Sequence, residues 1–196
     1  MEHRMQNGAW SAASSSSATR RHGSSLTLQI LLLAGAGVLV ALLHESFRLP
    51  LKLPGHHGIE WFGILLLARL NSPLRAAGLT VAAGAVLGTS ILSAHGLQAA
   101  AGITYLLQAA VVDLAFLALG HRMQGAFPLV LLGAASHALA PLVKSMLQIA
   151  GSPGFGSLAQ GLGYPLSTHV LFGASGAFAA WLCHRLARTT KSKTRR

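Results

Sequence analysis

Acidic residues are nearly missing from this chain: Glu2, Glu45, Glu60 and Asp113 stand against 15 Lys and Arg. Charged residues of both signs make up only 10%, whereas an average soluble domain carries roughly 25%. That is too little charge to cover a water-exposed surface. A single cysteine, Cys183, excludes an internal disulfide and any multi-cysteine metal site. It sits near the end of the last apolar run and reads as a reduced thiol without a role. His-Glu-x-x-His, Gly-x-Ser-x-Gly, Walker and Cys-x-x-Cys patterns are all missing, so hydrolysis, nucleotide binding and thiol exchange lack support. No enzyme activity and no resident cofactor are expected.

What the chain does have is apolar length: 196 residues, 52% hydrophobic, with a mean hydropathy of +0.54. Its first partner is the lipid bilayer. The basic excess sits in short clusters between apolar runs and at the chain ends, which fits membrane topology and leaves no nucleic-acid partner expected. Residues 1–25, rich in Ser, Ala and Arg without apolar periodicity, read as a disordered cytoplasmic tail. The run from Leu26 to Leu43 is longer than the roughly 7–15 residues of a signal-peptide core, and it reads as an uncleaved helix.

Crossing a ~30 Å hydrocarbon core takes about 20 apolar residues in a helix. Six candidate runs are separated by Pro, Gly or charge: 26–45, 57–70, 74–92, 97–120, 127–150 and 165–186. The expected fold is therefore an all-α integral membrane protein, a compact bundle of about six transmembrane helices over residues 26–188, followed by a basic cytoplasmic tail over 189–196. The second run is short and is expected to tilt, to begin in the preceding loop, or not to cross fully. Six spans place Arg20, Arg21, Arg69, Arg75, Arg122 and the basic C-terminus on one side, and only Arg48 and Lys52 on the other. The positive-inside rule makes that an N-in, C-in topology.

Small residues recur four apart: Gly37 with Ala41, Gly84 with Gly88, Gly173 with Ala177. Such spacing lets helix backbones approach closely, either inside the bundle or against a partner membrane protein.

Ionisable groups in lipid are costly unless paired or facing a cavity, so their positions are the best guide to function. Most fall in the outer half. The stretch HESFRLPLKLPGHHGIEW carries His44, Glu45, Arg48, Lys52, His56, His57, Glu60 and Trp61, with Pro50, Pro54, Gly55 and Gly58 making it a rigid connection. His95, Tyr164, Ser167, Thr168 and His169 join it on the same side. In the fifth run His137, Pro141, Lys144 and Gln148 share one helical face. The expected ligand-binding residues are His56, His57, Glu60, Trp61, His137, Lys144, Tyr164 and His169. Asp113 lies towards the inner end and needs a partner, with Arg69, Arg75 and Arg122 the available cations.

In pattern the sequence resembles the substrate-binding S component of energy-coupling factor (ECF) vitamin and metal transporters. The resemblance covers about residues 26–188: a first helix with small residues, the outer loop LPGHHGIEW leading into a short second helix, and a Gly/Ala-rich third. A fourth helix of the form ITYLLQAAVVDLAFLALGHRM follows, and the last is HVLFGASGAFAAWLCHRLAR. What it implies is capture of a vitamin, vitamin precursor, corrinoid or metal ion at the outer face of a bacterial cytoplasmic membrane. It also implies docking through Ala34, Gly37 and Ala41 onto a T component driven by ATPase subunits. His56, His57, His137 and His169 suit a transition metal or a corrinoid metal, and equally hydrogen bonds to a heterocycle, with Lys144 or Arg48 holding an anionic group. Competing expectations are a membrane scaffold or assembly protein, and a haem-binding protein using His44 and His169.

Overall fold

A computed structural model describes residues 7–46, 53–92, 99–152, 155, 158–159 and 161–193. It is all-helical, with no strand among the described residues. The described residues form six α-helices, α1 (Asn7–Ser46), α2 (Gly58–Asn71), α3 (Ala77–Leu92), α4 (Ala99–Leu119), α5 (Ala126–Ile149) and α6 (Gly163–Lys193), with a 3-10 turn, Gly120–Gln124, between α4 and α5. Among the described residues, four helical stretches are long and apolar enough to cross a membrane: Leu26–Ser46, Ala101–Gln124, Ala126–Ile149 and Gly163–Thr190. These support a multi-pass membrane protein. α1 begins within the segment read above as a tail, and Ala and Arg are good helix formers in continuity with the apolar run. By its internal contacts the chain divides into two units, Met1–Leu32 and Leu33–Arg196. The first is helical from Asn7; the rest of the description concerns the second.

α2 and α3 are short, at 14 and 16 residues, which gives roughly 21 and 24 Å of helix. α2 nevertheless lies deepest, with Trp61, Phe62, Leu65 and Leu66 all buried, and it packs along α6, which also packs along α5. Lipid tails are as apolar as leucine, so burial alone does not drive this association. Close backbone approach and polar ties do.

Both devices are present. α1 meets α3 through glycine: a Cβ on Gly37 would collide with the Val81 carbonyl, and one on Gly84 with the Ala34 carbonyl. Ala41 is 1% exposed and lies against Gly88. This corrects the expectation that Ala34, Gly37 and Ala41 present a free docking face, because that stripe is spent on contact with α3.

The polar tie is at the other end of α3, which starts three residues later than the apolar run suggested. Pro73 disfavours helix at Ser72, and the N-terminus of α3, where Ala77 and Gly78 are buried, is received from a neighbouring helix. The Asp113 carboxylate of α4 accepts from the backbone N–H groups of Gly78 (3.0 Å) and Leu79 (2.9 Å). Arg69 of α2 provides its cation, with Nε 3.0 Å from Oδ1 and the guanidinium 4.6 Å above the Phe116 ring. The Arg69 Nε–H is poorly aligned for a hydrogen bond, so charge carries that contact. Of the three candidate cations, Arg69 is the partner, while Arg75 and Arg122 are exposed.

Candidate functional site

At the opposite end of α3 from Asp113 lies a cavity of about 340 Å³ to which every helix contributes. α1 gives Val40, His44 and Glu45; the turn before α2 gives Gly55 and His57; α2 gives Glu60 and Trp61; α3 gives Thr89. α4 gives Ala101, Thr104, Tyr105 and Gln108, α5 gives His137, Ala140 and Lys144, and α6 gives His169. In a chain with so few charges, two carboxylates, one ammonium and four imidazoles converge on this space.

A directed hydrogen-bond chain fixes the floor. The indole N–H of Trp61 can only donate, and it donates to Gln108 Oε1 at 2.7 Å. That orients the Gln108 amide so that its nitrogen donates to His137 Nδ1 at 3.3 Å. His137 Nδ1 is therefore the acceptor, and Nε2–H donates to the Gly55 carbonyl at 3.1 Å. The sequence makes room for this with glycine. A Cβ on Gly58 would strike the His137 ring, and one on Gly173 would come 2.6 Å from His137 Cβ.

His169 packs 4.6 Å from His137, ring to ring, and donates through Nδ1 to the Pro165 carbonyl at 2.7 Å, leaving Nε2 with the lone pair. Gly55 lies under it: its φ is +82°, and a Cβ there would be 2.6 Å from His169 Nδ1. The Pro54-Gly55 pair thus bends the chain, presents a carbonyl to His137 and lets α6 approach. Tyr105 packs on Trp61 at 4.7 Å, giving the cavity an aromatic corner.

The second polar group is a stack of imidazoles. His57 lies 3.8 Å from His44 and 3.9 Å from His56, ring to ring. His57 Nδ1 bonds Glu60 Oε1 at 2.7 Å, and His56 Nδ1 donates to the Leu53 carbonyl at 2.7 Å. His44 Nδ1 and His56 Nε2 are buried with no hydrogen-bond partner among the described residues. Lys144, half-buried on the wall, has no ion-pair partner among the described residues.

Of the residues expected to bind ligand, His57, Glu60, Trp61, His137, Lys144 and His169 line this one cavity. His56 does not, since it supports His57 from behind. Tyr164 is 46% exposed and does not line it either: on the first turn of α6 it faces outwards, while His169, five residues on, faces inwards. Arg48, Lys52 and His95 lie outside the described residues. Gln148 is exposed, whereas Pro141 on the same expected stripe is buried. Gln108, Thr104 and Tyr105 were not anticipated as lining residues. Their signal was three polar-tipped side chains within two turns of an otherwise apolar helix, ahead of Asp113.

The cavity offers oriented hydrogen-bond donors and acceptors, imidazole lone pairs, an ammonium and an aromatic face, which is the equipment of recognition. No protein-family model, curated protein or solved structure matches the chain.

Proposed function

We propose that this protein is a membrane-embedded capture subunit of an ECF-type uptake transporter, seated N-in, C-in in a bacterial cytoplasmic membrane. Its ligand is a small heterocycle bearing an anionic group, such as a vitamin or vitamin precursor. The observation that carries the reading is a polar cavity assembled from all six helices of an otherwise apolar chain, since intramembrane ionisable groups mark ligand pathways by default. A volume of about 340 Å³ is near the lower end of the roughly 300–1,000 Å³ of ligand sites. It suits a one- or two-ring molecule better than a corrinoid or haem. Lys144 holds the anionic group, Gln108 and His169 read the ring edge, and Trp61 with Tyr105 gives it a face to stack on. Energy comes from a T component and ATPase subunits, docked on a surface other than the small-residue stripe of α1.

Thermal-shift screening of the purified protein against B vitamins and their precursors tests this. A ligand that binds only the native state adds about 2.7 kcal/mol of apparent stability at a hundredfold excess over its Kd. A shift that Lys144→Ala or His137→Ala abolishes is expected. A folded, monodisperse sample that responds to no such compound overturns the proposal and leaves a membrane scaffold as the better reading.

A further inference from the structure

We infer that His44, His57 and Glu60 form a binding site for one divalent first-row transition-metal ion on the wall of this cavity. The inference rests on the cavity being a ligand site, and it adds to that site an inorganic component.

Three observations carry it. The donor set comes from two elements, His44 from the end of α1 and His57 with Glu60 from the start of α2, and one ligand atom from each lies within 4.8 Å of the others. Two imidazoles and one carboxylate, with a further coordination position open, is the ligand set of many reactive zinc sites. His57 and Glu60 are three apart at a helix start, so both side chains fall on one face.

Secondly, the arrangement is close to ligating geometry. His57 Nδ1 and Glu60 Oε1 are 2.7 Å apart across a hydrogen bond. Metal bonds of about 2.1 Å at a tetrahedral angle separate two ligand atoms by about 3.4 Å, so an ion replacing the shared proton opens this pair by about 0.7 Å.

The third is His44 Nδ1, which is buried with no hydrogen-bond partner among the described residues. Such an atom is destabilising where water cannot reach it. The hydrogen bond between His57 and Glu60 explains those two residues and leaves His44 unexplained. A metal ion accounts for all three.

Imidazole and a single carboxylate favour Zn²⁺, Co²⁺ or Ni²⁺ over Mg²⁺ or Ca²⁺, which need more oxygen ligands. The cavity is about ten times the ~30 Å³ share of a water molecule. An ion on its wall therefore leaves room for a ligand whose own donor atom takes the open position.

The test uses the full chain, free of any affinity tag, in detergent after chelator treatment and titrated with Co²⁺. One ion per chain is expected, with the intense visible absorption of a four- or five-coordinate site, displaced by Zn²⁺. His44→Gln and Glu60→Gln should each weaken binding at least tenfold, because even outer partners of a ligand are worth roughly 10–100-fold. His184→Gln, remote from the site, should leave it unchanged. X-ray absorption of the Zn²⁺-loaded wild-type protein should count two imidazoles, a readout that does not depend on any variant folding. No stoichiometric ion, or an ion retained by a His44→Gln, Glu60→Gln double variant, overturns the inference. The ion is read by its own spectrum with no organic ligand present, so this site and vitamin capture can fail independently.

Discussion

Replacing Gly55 with alanine should destabilise the protein by about 2–4 kcal/mol, and the figure follows from two separable terms. The backbone at Gly55 has a φ of +82°, where an L-residue costs about 1–2 kcal/mol. The new Cβ would lie 2.6 Å from His169 Nδ1 and 2.7 Å from its Cγ. The ring has little room to retreat, because Nδ1 is bonded to Pro165 at 2.7 Å and the ring faces His137 at 4.6 Å. Overpacking of this kind adds roughly 1–3 kcal/mol, offset by about 0.4–1 kcal/mol from reduced freedom of the unfolded chain. Two other glycines separate the terms. Gly120 has a φ of +53° with nothing near its virtual Cβ, so Gly120→Ala bears the backbone term alone and should cost about 1 kcal/mol. Gly35, inside α1 and also open, bears neither, and Gly35→Ala should be neutral or stabilising by up to about 1 kcal/mol. Equilibrium unfolding in mixed micelles titrated with a denaturing detergent, followed by far-UV circular dichroism, ranks the three. If Gly55→Ala falls within about 0.5 kcal/mol of Gly120→Ala, the spread of a neutral surface change, the packing of His169 on the turn is wrong.

Gln108→Leu should cost about 2 kcal/mol, since it strands the Trp61 indole N–H and His137 Nδ1 together; a variant as stable as wild type by the same unfolding assay would break the proposed chain. Asp113→Ala leaves Arg69 buried without its counter-charge and the α3 N-terminus uncapped, for an expected loss of about 3–5 kcal/mol. Adding Arg69→Ala to Asp113→Ala should cost less than Arg69→Ala does alone, and strict additivity in the double-mutant cycle would count against the pair. Gly37→Leu should abolish a monodisperse fold on size exclusion, while Gly35→Leu, one helical face away, should be tolerated; equal behaviour of the two would contradict the packing of α1 on α3.

The six helices were legible because each apolar run is bounded by Pro, Gly or charge, and α2 begins within a residue of the point where LPGHHGIEW suggested. The start of α3 was not, because the group that receives its N-terminus, Asp113, is 35 residues away in sequence from Gly78. The stripe of Ala34, Gly37 and Ala41 announced a close contact, but spacing marks a helix face and says nothing about which helix lies across from it. The site was legible where an ionisable group interrupted an apolar run, as with His137, Lys144 and Glu60. His44 entered the reading only among the outer polar groups and as a haem-ligand candidate with His169, outside the expected ligand-binding set, because it sits at a helix end where a histidine at the headgroup level is ordinary. Gln108 escaped because an uncharged amide is a weak signal until its partners are known.

Two of the ring positions in this cavity are held by what is missing elsewhere. Gly58 and Gly173 leave the space that His137 fills, as Gly55 does for His169. Such positions cannot drift singly. A methyl at 58 becomes acceptable only in a chain that has already given up the imidazole at 137, and a chain that has given it up no longer needs glycine there, whereas Gly173 is held as well by the Gly133 carbonyl, 2.4 Å from its virtual Cβ. His137 and Gly58 should therefore be gained and lost together as sequences diverge, so that this one pairing separates chains that keep the binding chemistry from those that retain only the helices, while Gly55 stays favoured by its φ of +82° whatever stands at 169.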